Sequence, residues 1–152
     1  MLIQSVFESQ QVIPIEYTCD GKNLSPPLKF LQVPAKAKSL ALIVEDPDAP
    51  GGTFDHWLVW NLPPDLVELT EGAKEFARLL PSPVHGVNGY RNTHYDGPCP
   101  PVGKPHHYHF QLYALDVLLS LPKGSSKQQL KEAMQGHLLE QAELVGTYQH
   151  DE

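Results

Sequence analysis

Alternation between polar and apolar positions is clearest from His106 to Leu115. His106, Tyr108, Phe110, Leu112 and Ala114 fall on one side of an extended chain, and His107, His109, Gln111, Tyr113 and Leu115 on the other. The first set is polar at its start and apolar further in, which predicts a strand that leaves a polar site and enters a core. Ser39 to Glu45 is a continuous apolar run between breakers, and its Ile and Val predict a buried strand. Asp55 to Leu62 has two largely apolar faces, Asp55/Trp57/Val59 and His56/Leu58/Trp60, and predicts a central strand covered on both sides. Shorter extended pieces are predicted at 2–7, 13–18, 28–33 and 144–148. One helix is predicted over Lys127 to Gln141, with Ser125 or Ser126 as N-cap and Gln128 or Gln129 as capping-box partner. Leu130, Ala133, Met134 and Leu138 share its apolar face, and Gly136 weakens its middle. Residues 65–95 show no clean period, and 86–95 read as a long surface loop. Short strands with proline-rich turns and one late helix predict a mainly β fold, a β-sandwich with a helical addition.

Composition sharpens this picture at a few points. A chain of 152 residues suits one domain, 1–152, with a full core. The 15 prolines are about twice the typical proportion and lie between apolar runs, as turns and strand ends. Three of them stiffen Gly97-Pro-Cys-Pro-Pro101, a loop whose shape costs little to order on binding. The net charge of −7 argues against nucleic acid or an anionic membrane as a broad-surface partner. Met1 to Gln10 has neither a basic start nor an apolar run, which predicts no signal peptide, and no apolar stretch approaches a membrane span. Cys19 and Cys99, with no CxxC, read as reduced thiols of a cytoplasmic protein, with a single long-range disulfide left open.

The chemistry-bearing residues sit at strand ends beside rigid turns: Asp46 and Asp48, His56, and His106 with Tyr108. Taken singly, the aspartates read as turn formers, and His56 is as readily a core histidine as a site histidine. Together they describe a device. A carboxylate bonded to one ring nitrogen favours imidazolium, and two imidazoles facing one point offer two donors to an oxyanion such as phosphate. Gly97 and Cys99 add backbone N–H donors, and Tyr108 a hydroxyl. The His106-His107-Tyr108-His109 cluster is weak as a metal site, because neighbouring strand residues face opposite ways; no metal or cofactor is expected. Cys99 is either a reactive thiol beside an imidazole or a small buried wedge between prolines.

At these residues the sequence resembles the phosphatidylethanolamine-binding protein family, in its bacterial and archaeal branch of Raf-kinase-inhibitor-like proteins. The resemblance rests on Asp46-Pro-Asp-Ala-Pro50, on His56 in Asp-His-Trp-Leu-Val-Trp-Asn, and on Gly97-Pro-Cys-Pro-Pro101 followed by His106-His-Tyr108. Matches near both ends, Tyr17-Thr-Cys-Asp-Gly21 and Leu144-Val-Gly-Thr-Tyr148 among them, extend it over nearly the whole chain. It implies an antiparallel β-sandwich with a C-terminal helix and short helical insertions. It also implies a small pocket for phosphate, other small anions or a phospholipid headgroup. Asp46, His56, Gly97, Pro100, Pro101, His106 and Tyr108 match pocket positions, and Asp48 and Pro50 shape its wall. The segment 86–95 departs from the family pattern, with His94 where glycine is common. A soluble anion-binding protein, monomer or homodimer, that modulates a kinase or another protein is the first expectation. The alternative is a hydrolase or thiol enzyme using His56 and His106 with Cys99 or a water.

Overall fold

The computed structural model describes residues 1–151. Eight strands form two antiparallel sheets. A small sheet has the order β1-β2-β5, from β1 (Leu2–Gln4), β2 (Leu28–Leu31) and β5 (Glu68–Leu69). A large sheet has the order β6-β4-β3-β7-β8, from β3 (Ser39–Asp46), β4 (Phe54–Leu62), β6 (Val84–His85), β7 (His106–Leu115) and β8 (Leu138–Tyr148). The one α-helix among the described residues, α1, runs Lys127–Met134 between β7 and β8.

The large sheet buries both faces over its middle. Between the sheets, Leu40, Leu42, Val44, Trp57, Val59, Phe110 and Leu112 pack against Ile3, Leu28, Phe30 and Leu69. On the other face, Ala41, Ile43, Leu58 and Trp60 pack against Leu130 and Met134 of α1. That double burial is why residues 40–44 of β3 and the middle of β4 read as unbroken apolar runs. Along β7 the predicted alternation holds: Tyr108, Phe110, Leu112 and Ala114 are buried, and His107, His109, Gln111 and Tyr113 are partly exposed.

The helix differs from its expected length. Ser126 caps it: its Oγ accepts from the Gln129 N–H at 3.2 Å, while Gln129 Oε1 accepts from the Ser126 N–H at 2.9 Å. Gly136, at φ +80°, ends it rather than weakening its middle. Leu138 therefore opens β8 instead of extending the helical face. Residues 13–18 also differ: Ile15–Tyr17 form a 3-10 turn, not an extended piece. Within 65–95 the chain places β5, a kinked 3-10 segment at Glu71–Arg78 and β6, too short to leave a period in the sequence.

One irregularity positions the site. Val44 pairs with Trp57 but Glu45 pairs with Asp55, so His56 is an extra residue in β4. This β-bulge turns His56 and Trp57 toward the same face. Strict alternation would put His56 with Leu58 and Trp60 under the helix. Instead Asp55 faces the helix, where Lys127 Nζ lies 2.7 Å from Asp55 Oδ1 and 2.7 Å from Glu45 Oε2.

Candidate functional site

The bulge delivers His56 to the end of the core where β3 and β7 run out of apolar residues. Its ring lies 5.3 Å from that of Tyr108, edge to face, and the His106 ring stacks 6.5 Å from the same tyrosine. These three rings line one cavity of about 170 Å³ with Asp46, Pro50, Cys99, Pro100 and Pro101. Segments from three distant parts of the chain thus meet as expected. Ala49, Phe54 and Tyr90 complete the wall.

Each histidine is anchored through Nδ1. His56 Nδ1 lies 2.7 Å from the Asp96 carbonyl, which only accepts, so Nδ1 carries the proton and Nε2 is left for a ligand. His106 Nδ1 lies 2.6 Å from Asp46 Oδ2, and both side chains are nearly buried. The other oxygen, Asp46 Oδ1, accepts from the Asp48 N–H at 2.8 Å and fixes the carboxylate within its turn. Burial pushes the His56 imidazole below its ordinary range, against the pull of the Asp96 carbonyl and nearby carboxylates. The Tyr108 hydroxyl is buried without a hydrogen-bond partner, and burial together with Asp46 pushes its ionisation upward. It stays a neutral donor beside the two rings.

Three expected residues play other parts. Asp48 does not line the cavity; its Oδ2 accepts from the His107 N–H and lies 2.8 Å from His107 Nδ1, on the half-exposed outer side. The Gly97 N–H is not a ligand donor, because it bonds Asn23 Oδ1 at 2.8 Å. Glycine is required there for another reason: a Cβ would fall on the Tyr17 carbonyl oxygen and 2.6 Å from Asn23 Oδ1. Gly97→Ala is expected to cost about 2 kcal/mol or more by overpacking, read as a lowered urea midpoint; an unchanged midpoint would refute the close approach. Cys99 lines the cavity, but its sulfur is joined to Cys19, 80 residues away. It is neither a free thiol nor a buried wedge, since both cysteines are exposed. The thiol-dependent alternative loses its nucleophile.

Sequence reasoning missed the scaffold behind Tyr90. Asn88 is 5 % exposed; its Nδ2 donates to the His94 carbonyl and to Asp96 Oδ2 at 2.9 and 2.7 Å. Its Oδ1 accepts the N–H groups of Tyr90 and Asn92 at 2.9 and 3.0 Å. One buried amide thus shapes the loop and sets Tyr90 against Phe54, 4.8 Å between ring centres. The visible signal is the Asn88-Gly89 turn, with glycine forced by the Phe54 ring behind it. His94, the departure from the family pattern, has a largely exposed side chain and does not line the cavity.

An all-antiparallel two-sheet sandwich with a paired-histidine cavity at one end defines the class. The phosphatidylethanolamine-binding protein family model matches residues 3–149, and the chain belongs to that family. A UPF0098 protein of Methanothermobacter thermautotrophicus is 49 % identical over 142 residues, 93 % of each chain. A UPF0098 protein of Pyrococcus horikoshii is 46 % identical over 151 residues, 97 % of this chain and 75 % of the relative. Among solved structures, a phosphatidylethanolamine-binding protein homologue of Chlamydia trachomatis superposes with a TM-score of 0.91 at 46 % identity, covering 99 % of this chain and 97 % of that one. YbcL of Escherichia coli, described as a member of the mammalian family, gives 0.87 at 29 % identity, covering 99 % and 98 %. Among the described residues no helix is long and apolar enough to cross a membrane.

Proposed function

We propose that the cavity binds a small oxyanion, a phosphate group free or carried by a larger molecule. The observation that carries this reading is the shared anchoring of both histidines by Nδ1, which leaves two Nε2 atoms on one cavity of about 170 Å³. Protonated, each donates a charge-assisted hydrogen bond to the anion. The Tyr108 hydroxyl, buried beside Asp46, is a third donor. The prolines fix the wall before the ligand arrives, so little ordering entropy is lost on binding. A cavity this small takes a headgroup and excludes acyl chains. A phosphorylated protein, a kinase among the candidates, would present its phosphate to the same donors.

Inorganic phosphate is expected to shift the ring signals of both His56 and His106 in an NMR titration. His106→Ala is expected to weaken binding about 10- to 100-fold, the range for a charge-assisted hydrogen bond. If neither ring responds to phosphate, the assignment fails. The pH dependence has a fixed sign. His56 is held neutral by burial, so a bound anion must draw a proton onto it. Affinity for sulfate, which does not titrate in this range, is expected to rise on acidification by up to about tenfold per pH unit from His56. His56→Asn should remove that share; an affinity that falls with acidification contradicts the proton uptake.

A further inference from the structure

Cys19, Cys99 and His150 lie together on the surface, outside the histidine pair and its donors. One ligand atom from each falls within 4.8 Å of the others. Three segments are tied down to make this cluster. The Cys19 N–H donates to the Pro98 carbonyl at 3.1 Å. His150 bridges to Val102, and Gln149 Nε2 donates to the Gly103 carbonyl. Asp20 Oδ1 stands 3.7 Å from His150 Nε2, while Asp20 Oδ2 accepts from the Tyr148 hydroxyl at 2.7 Å. A carboxylate therefore stands near the imidazole, beyond direct hydrogen-bond distance.

We propose that, once the disulfide is opened, Cys19, Cys99 and His150 form a three-ligand site for a thiophilic divalent cation of the zinc class. Two thiolates and one imidazole suit such a cation, with water in the fourth position. Opening needs a dithiol reductant, and both cysteines are exposed residues. The dithiol attacks one sulfur, forms a mixed disulfide and leaves as its own cyclic disulfide. Two electrons and two protons pass to the protein, giving two thiols. The cation then displaces both thiol protons. Disulfide and metal compete for the same two sulfurs, so the surface is clasped by one or the other. The backbone bridge to Val102 and the Gln149 side-chain bond to Gly103 hold the third ligand beside the two sulfurs.

The test uses the full chain reduced with a water-soluble phosphine, which takes an oxygen from water as it delivers the two electrons. Zinc binding is read by competition with a chromogenic chelator, and cobalt substitution is read by its thiolate charge-transfer absorption. The reduced chain is expected to bind one zinc, and the oxidised chain far less. His150→Ala, at a partly exposed position, is expected to weaken zinc by at least about tenfold in the reduced chain, the lower end of what even an outer-shell loss costs. Circular dichroism before and after zinc follows the fold. Binding unchanged by the redox state places zinc elsewhere and overturns the proposal, as does binding that ignores His150→Ala. A reduced chain that unfolds and is not restored by zinc overturns it too.

Discussion

Replacing Cys19 and Cys99 together by serine is expected to lower the unfolding free energy by about 4 kcal/mol. The cross-link spans 80 residues, and in the chain-entropy account a loop of that size removes roughly this much freedom from the unfolded state. Both cysteines are exposed residues, so the substitution removes the constraint without opening a cavity in the core. For a chain of this length the thermal midpoint should fall by about 10 °C. Reducing the parent protein without divalent cations should reproduce the fall, and the reductant should leave the serine variant unmoved. A double variant that melts within about 2 °C of the oxidised parent would show that the bond constrains little. The number and spacing of the cysteines read as reduced thiols with a long-range disulfide left open; the structure joins them.

Acid is expected to weaken the fold through His85. Its ring stacks on Trp57, 6.3 Å between centres, and lies 5.4 Å from Phe76. Burial, helped by Lys123 and His94, pushes it down to about 4. The unfolded chain, with an ordinary imidazole near 6.5, takes its proton first as pH falls. The stability that neutral His85 supplies is therefore complete above about pH 6.5 and is eroded down to about pH 4, by at most about 3 kcal/mol. His85→Phe keeps the stacking ring and has nothing to protonate. Between about pH 7 and pH 4.5 it should lose about 2 kcal/mol less than the parent in urea unfolding. His56 is shifted the same way and leaves a residual slope in both proteins. Equal losses in the two would remove His85 from the account.

Much of the large sheet is legible in the sequence because its signals are local. The face of β7 can be read residue by residue, and the double burial of β3 from its unbroken apolar run. The Ser126 cap is visible three residues ahead of its partner. The cavity members Asp46, His56, Pro100, Pro101, His106 and Tyr108 are legible because polar groups gathered at strand ends, where prolines hold the chain rigid, suit a binding wall better than a core. Family resemblance adds Pro50, which lines the cavity, and also points to Asp48 and Gly97, which do not. What escapes depends on contacts far apart in sequence. Gly97 looks like a donor until Tyr17 and Asn23 arrive beside it. Asp48 resembles a wall residue until His107 claims it. Phe54 opens β4 one residue before the strand predicted from Asp55, and Tyr90 lies in a loop that leaves no period. The end of α1 is misplaced by the pattern because Leu138 keeps helical spacing after the backbone has turned at Gly136.

The extra residue in β4 sets a rule for anyone moving this cavity to another scaffold. Copying the two imidazoles, the carboxylate and the prolines onto a regular ribbon would aim one imidazole at the helix layer, about half a turn of the pleat away from its mate. Deleting one residue near Asp55 should do the same here, leaving the amino acids present and their meeting place lost. The transferable unit is therefore a length of chain with a defect at a fixed position, and a search by residue identity alone would pass over scaffolds that already possess the kink.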